Sequence, residues 1–208
     1  MMVLIISNGD ISDINLNDYI KYADIVICAD GGARHLYNES IVPDIIIGDL
    51  DSLDSDIIDY FLNLGVEFEK HSVHKDKSDT ELAIDYAIDK CANDIVLLGV
   101  TGSRLDHTIA NISVLYKLAK QNINAVIIDS HNEIYLIKDR LKLSNKDNHF
   151  VSIIPLTDSR VTLRGFEYET HSMDFQVGTS LGISNLIKDK EGEIEINSGV
   201  CLVIRSKD

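Results

Sequence analysis

Two carboxylates, two residues apart in a turn behind an apolar strand, are the sharpest chemical feature of this chain. Pro43-Asp44-Ile45-Ile46-Ile47 runs straight into Gly48-Asp49-Leu50-Asp51-Ser52. Side chains at this spacing can point the same way and share a hard cation. Magnesium suits such a pair, because it binds through a few carboxylates plus substrate phosphates and keeps several waters. The competing use is structural: Asp51 or Ser52 could cap a helix expected over 54–64. Capping accounts for one of these residues and leaves Asp49 over.

Three other segments have chemistry at similar places. Ala29-Asp30-Gly31-Gly32-Ala33-Arg34 follows an apolar run directly. Its adjacent glycines would let the backbone approach a ligand, and a helix start behind them would offer N–H groups to an anion. It is neither a G-x-G-x-x-G nor a Walker loop, and taken alone Asp-Gly-Gly is a turn more often than a site. Lys75-Asp76-Lys77-Ser78-Asp79-Thr80-Glu81 satisfies the S-x-x-E capping box through Ser78 and Glu81. What capping leaves over is a Lys-rich approach beside a carboxylate, an arrangement suited to phosphate and metal. Gly99-Val100-Thr101-Gly102-Ser103-Arg104-Leu105-Asp106-His107 offers a glycine-bearing turn, hydroxyls and an arginine to phosphate oxygens. Asp106 and His107 are helix neighbours that point apart, which suits a structural Asp and a surface His better than an acid–base pair.

These segments need elements to hold them. Apolar runs at 3–6, 25–29, 45–47, 95–98 and 125–128 read as strands covered on both faces, hence parallel. Amphipathic stretches at 81–91 and 109–119 read as helices between them. Residues 1–130 are therefore expected to form a doubly wound, mostly parallel α/β domain, with ligands at the carboxyl ends of its strands. From residue 131 to 208 the period shortens: strands are expected at 133–137, 150–155, 160–166, 179–184, 192–196 and 199–204, punctuated by glycines. That half reads as a small antiparallel β-sandwich domain.

The 208 residues have a formal net charge of −15, which argues against nucleic-acid backbones as a partner. A small anionic substrate remains compatible, since a divalent cation and a few basic residues can reverse the local field. Cys28, Cys91 and Cys201 are far apart, form no C-x-x-C, and sit in apolar runs where buried thiols are expected. Reduced cysteines, no signal peptide and no spanning segment point to a cytoplasmic protein without a membrane partner.

Taken together, Asp30-Gly31-Gly32-Ala33, Gly48–Ser52, Lys77-Ser78-Asp79-Thr80-Glu81 and Thr101–His107 stand in the order and spacing of the thiamine pyrophosphokinase family. Gly178-Thr179-Ser180-Leu181-Gly182-Ile183-Ser184-Asn185 is similar to that family's C-terminal motif. The resemblance implies transfer of diphosphate from ATP to thiamine, with Mg2+ as cofactor and a homodimer as the working unit. It implies Asp49, Asp51 and Asp79 around the metal, and Arg104 on the phosphate oxygens. Asp30, Gly31, Gly32, Ser52, Lys77, Thr80, Thr101, Gly102, Asp106 and His107 would line the nucleotide pocket, and Ser184 and Asn185 would contact thiamine across the subunit boundary. The chain departs from the family in having Arg34 where Asn is common, Ser78 where Thr is commoner, and no Trp to stack on thiamine. From the residues alone, another magnesium-dependent phosphotransferase or phosphohydrolase, or a non-catalytic ligand-binding dimer, would use the same α/β motifs.

Overall fold

The computed structural model describes residues 1–72 and 76–208. Lys75, the first lysine of the Lys-rich approach, lies outside the described residues. The chain forms two compact units, Met1–Ser130 and His131–Asp208.

The first unit runs β1 (Met2–Ile6), α1 (Asn17–Ile20), β2 (Ile25–Ala29), a 3-10 turn at Asp30–Gly32, α2 (Ala33–Asn38), β3 (Ile45–Gly48), α3 (Ser55–Asn63), β4 (Glu67–Lys70), α4 (Asp79–Asp89), β5 (Asp94–Leu98), α5 (Leu105–Lys120) and β6 (Asn124–Ile128). Its strands lie in the order β6-β5-β1-β2-β3-β4, and every adjacent pair is parallel. β1, β2 and β3 are buried on almost every residue, as their continuous apolar runs require of strands covered on both faces. One core packs Leu4, Ile6, Cys28 and Ile46 of the sheet against Leu36, Ile57 and Phe61 of α2 and α3. β4 escapes the apolar-run criterion because Glu-Phe-Glu-Lys is polar and half-exposed, as suits an edge strand.

The helix expected over 54–64 forms as α3, but neither Asp51 nor Ser52 caps it. Asp54 occupies the cap position in extended conformation, with no side-chain cap bond. The Ser52 hydroxyl is used elsewhere. At α4 the cap forms as expected: the Glu81 N–H donates to Ser78 Oγ at 3.2 Å. The Glu81 carboxylate, however, accepts from Lys117 Nζ on α5 at 3.2 Å. Just past the end of α4, Cys91 adopts φ 62, the left-handed position that glycine usually fills after a helix. This corrects one expectation: Cys28 and Cys201 are buried, but Cys91 is exposed. No helix among the described residues is long and apolar enough to cross a membrane.

The second unit contains β7 (Asn132–Ile137), β8 (Arg140–Ser144), β9 (Phe150–Pro155), β10 (Ser159–Arg164), β11 (Thr170–Phe175), β12 (Asn185–Leu186), β13 (Glu191–Ser198) and β14 (Cys201–Ser206). Within it, β12, β9, β14 and β7 lie side by side and antiparallel, and β11, β10, β13 and β8 form a second antiparallel sheet. Alternate residues from both, including Val151, Ile153 and Val203 from the first and Val161, Leu163 and Ile194 from the second, share one core. This is the sandwich expected of alternating strands. Buried Arg205 ties β14 to its neighbour β7 by donating to Glu133, and to the second sheet by donating to the Ser144 carbonyl of β8. Burial alone would raise the Glu133 carboxyl, but hydrogen bonds from Lys146 and Tyr135 and the Arg205 charge outweigh it, so the group is held below its ordinary range.

One expected strand is absent. Residues 179–184 form successive turns, with Thr179 N–H on Gln176 O at 3.3 Å and Ile183 N–H on Ser180 O at 3.4 Å. Their alternating Leu181 and Ile183 face solvent rather than a core. Three strands of this unit also go unforeseen: β8 and β11, which edge the second sheet with mostly polar residues, and the two-residue β12.

Candidate active site

Parallel strands place all their carboxyl ends along one edge of the first unit. Asp30 follows β2, and Asp49 and Asp51 follow β3, the neighbouring strand. Asp30 has φ 43 and Leu50 has φ 66, left-handed conformations that cost a non-glycine residue about 1 kcal/mol or more. Each turn is strained at the point where it delivers a carboxylate.

The result is a compact group: Asp30, Asp49 and Asp51 each offer an oxygen within 4.8 Å of the others. Ser52 Oγ donates to Asp30 Oδ2 at 2.5 Å, and the Asp51 N–H donates to Asp49 Oδ1 at 3.2 Å. The other oxygen of Asp30, Oδ1, is buried with no hydrogen-bond partner among the described residues. An unsatisfied buried carboxylate oxygen is costly, and a cation satisfies it. These residues therefore fit a hard divalent metal. The Asp51 carboxyl is pushed above its ordinary value, first by the hydrogen bond and charge of Asp49, then by desolvation and by the charges of Asp30 and Asp79.

Asp79, the first residue of α4, stands beside this group rather than within it. Its Oδ1 lies 3.1 Å from where a side chain on Gly48 would begin, and Asp30 Cβ lies 2.9 Å from the same point. Glycine at 48 keeps open the space between those two carboxylates. Arg34, the residue found where the family often has Asn, donates from its guanidinium to the Ser52 carbonyl and so braces the turn.

The glycines after Asp30 have a packing role. A Cβ on Gly32 would stand 2.4 Å from the Ile6 carbonyl oxygen, and one on Gly31 would stand 2.6 Å from the Asn8 side chain. Both let the turn close onto the end of β1 and the loop behind it. Thr80 is likewise turned inward: its hydroxyl is 3.0 Å from that of Ser7, and both residues are buried.

The Gly99–His107 segment sits at the carboxyl end of β5. Thr101 Oγ1 donates to Asp129 Oδ2 at 3.0 Å, and the Gly102 N–H donates to Thr108 Oγ1 at 3.1 Å. Arg104 is the residue before α5, and it donates to both oxygens of Asp106 at 3.0 and 2.5 Å. That hydrogen bond holds the exposed Asp106 carboxyl well below the usual range. His107 is exposed in the first turn of α5. Lys77 donates to Asp85 at 2.6 Å, on the flank of α4, where Lys117 also reaches Asp85 at 2.6 Å. Both cations expected on phosphate oxygens are thus engaged by nearby carboxylates.

In the second unit Ser184 is exposed at φ 58, with its N–H on Ser152 Oγ at 3.0 Å. Asn185 is buried, and its side chain accepts from the N–H groups of Tyr168 and Leu186 and donates to Tyr168 O. Its carbonyl oxygen is filled in holding the loop, and its nitrogen gives one of its two N–H groups to the same task. Outside the motifs, the strand-end edge of the first unit also carries Ser7, Asn8 and Gly9 at the end of β1, His35, which bonds Gly9 O at 2.8 Å, and Asp129. Ser-Asn-Gly after an apolar strand has the same form as the other segments, and that was the available signal.

A parallel α/β unit bearing a carboxylate cluster at its strand ends, followed by a β-sandwich, defines a two-part architecture suited to phosphate chemistry. The chain belongs to the thiamin pyrophosphokinase family: the pattern for "Thiamin pyrophosphokinase, catalytic domain" matches residues 16–127, and "Thiamin pyrophosphokinase, vitamin B1 binding domain" matches residues 138–201. It is 30% identical over 198 residues to thiamine pyrophosphokinase of Bacillus subtilis (strain 168), covering 93% of this chain and 92% of that one. It is 25% identical to thiamine pyrophosphokinase 1 of Arabidopsis thaliana, covering 90% and 80%. The crystal structure of the Bacillus subtilis thiamine pyrophosphokinase superposes with a TM-score of 0.89 at 28% identity, covering both chains completely (100% and 100%). The thiamin pyrophosphokinase of Candida albicans shares the fold, with a TM-score of 0.86 at 22% identity over 99% of this chain and 89% of that one.

Proposed function

We propose that this enzyme transfers a diphosphate group from ATP to the hydroxyl of thiamine, giving thiamine diphosphate and AMP. One observation carries the reading: a catalytic-domain and a vitamin B1 binding-domain pattern match in order on a single chain. The α/β unit alone would suit any metal-dependent phosphate enzyme, and the second unit argues for thiamine.

The reaction forms a bond from the thiamine oxygen to the β-phosphorus of ATP and breaks the bond joining the α- and β-phosphates. The hydroxyl proton is lost and AMP departs. Such a transfer needs in-line positioning and charge stabilisation more than covalent help. Asp30, Asp49 and Asp51 would hold Mg2+, with Asp79 alongside. Bound there, the ion supplies charge neutralisation on the phosphates and acidifies a nearby hydroxyl. A carboxylate of the Asp49/Asp51 pair is suited to orient the thiamine hydroxyl. Thr101, Gly102 and the opening turn of α5 would receive the nucleotide, with Arg104 released from Asp106 and Lys77 released from Asp85 onto phosphate oxygens. Ser184 offers an exposed hydroxyl to thiamine, and Asn185 shapes the loop that presents it. Thiamine is cationic, so the acidic chain favours its approach.

A cytoplasmic homodimer belongs to the same proposal. Val177, Leu181 and Ile183 leave apolar surface beside Ser184 for a second subunit to cover, and sedimentation gives the mass directly. The decisive assay incubates the protein with ATP, Mg2+ and thiamine and separates the products. AMP appearing together with thiamine diphosphate is expected. ADP alone, or nucleotide hydrolysis indifferent to thiamine, refutes the reading.

A further inference from the structure

In the strand order of the first unit, β1 lies between β5 and β2, with β3 next beyond. The Thr101 turn ends β5, and the carboxylate turns end β2 and β3. Between them, at the end of β1, stands the loop Ser7-Asn8-Gly9. The chain also reverses direction across the sheet here, stepping from β1 to β4 on one side and from β5 to β6 on the other. Open α/β sheets hold their ligands at such a switch point. A nucleotide reaching from the carboxylates to the Thr101 turn must pass this loop.

The loop is fastened on every side. Ser7 N–H donates to Leu98 O at 2.9 Å, and Gly9 N–H donates to Gly99 O at 2.7 Å. The Ser7 hydroxyl meets that of Thr80, and His35 holds Gly9 O. Two glycines permit the contact with β5. A Cβ on Gly9 would stand 2.4 Å from Thr101 O, and one on Gly99, at φ 66, would stand 2.3 Å from Ser7 O. The Asn8 side chain rests on Gly31, where any Cβ would displace it. Asn8 itself is exposed, and its amide has no hydrogen-bond partner among the described residues.

We propose that Asn8 is a nucleotide-binding residue, its side-chain amide donating to a phosphate oxygen of the nucleotide donor. The proposal rests on the pyrophosphoryl-transfer reading and adds a residue ahead of the segment matched by the catalytic-domain pattern, which begins at residue 16. Chemistry favours phosphate. In so acidic a chain a cationic donor is readily captured by a nearby carboxylate, as Arg104 is by Asp106 and Lys77 by Asp85. An uncharged amide is not, so it stays available beside Gly31, the residue after Asp30. The fastened backbone on either side, at Ser7 and Gly9, sets where the amide is presented to the ligand.

Asn8→Ala and Asn8→Asp test this through AMP binding by equilibrium dialysis, steady-state kinetics and thermal melting. Asn8→Ala is expected to weaken AMP binding and raise the KM for ATP by about tenfold, the loss of one donor to a charged acceptor. The KM for thiamine should stay within about twofold and the Tm should be unchanged, which a merely structural side chain would not produce. Asn8→Asp should weaken AMP further, because a carboxylate repels phosphate. Unaltered AMP binding in Asn8→Ala, or equal rises in both KM values, overturns the proposal. AMP binding by Asn8→Asp as tight as in the unsubstituted protein overturns the phosphate contact. If the unsubstituted protein makes no AMP from ATP and thiamine, the functional reading fails instead, and AMP dialysis still decides on Asn8.

Discussion

Asp51 shows at the residue scale what the site demands of the fold. Its raised carboxyl means that the folded, metal-free protein holds this proton more tightly than the unfolded chain does. Stability contributed by the protonated form is therefore lost as pH rises from the ordinary value of 3.8 through the raised one, and the whole deficit is present at neutral pH. Asp51→Asn removes the repulsion. It should raise the Tm of the metal-free protein at pH 7, with the gain fading below about pH 4, as differential scanning calorimetry would record. The same substitution, and Asp49→Asn, should lower turnover by about 100-fold or more in the product assay. Turnover unchanged in both variants would remove the carboxylates from the chemistry. Glycines supply a second contrast. Gly32→Ala drives a methyl onto the Ile6 carbonyl and should cost about 1–3 kcal/mol in denaturant unfolding. Gly102→Ala meets nothing within 4 Å and should stay within about 0.5 kcal/mol.

At the scale of elements, what could be read from the sequence follows from burial. β1, β2, β3 and β5 are apolar runs because both their faces are covered, and α3, α4 and α5 keep helical spacing because one face is. β4, β8 and β11 lie at sheet edges, where polar residues are tolerated and the pattern is erased. Residues 179–184 mislead in the opposite sense, since Leu181 and Ile183 alternate without a sheet to bury them. The carboxylate turns were legible because helix capping, the competing use, leaves Asp49 over. Asp30 as a member of the metal-fitting group was not, because it depends on β2 and β3 being neighbours. Nor was the Ser7–Thr80 clasp, whose partners are 73 residues apart. That clasp fastens the start of α4, and Asp79 with it, to β1. Ser7→Ala should cost about 1–3 kcal/mol by leaving the Thr80 hydroxyl buried without a partner, whereas Ser7→Ala with Thr80→Val should recover much of it. Equal stability losses in both variants would show that the hydroxyls do not act as a pair.

For the whole molecule, the charge of −15 sets an electrostatic expectation. Thiamine is a cation, so its kcat/KM should fall as salt rises from about 0.01 to 0.15 M at fixed Mg2+, across which the screening length contracts roughly fourfold. A flat salt profile would confine recognition of thiamine to short-range contacts. The left-handed Cys91 leads elsewhere. With Cys28 and Cys201 buried, it is the one thiol within reach of solvent, so a thiol titration should count one group in the folded protein and three after denaturation. A fluorophore attached there would ride on the far end of α4, about 16 Å along the helix from Asp79. The position that breaks the helix is thus also an optical handle on it, able to report the arrival of a cation without intruding on the residues that receive it.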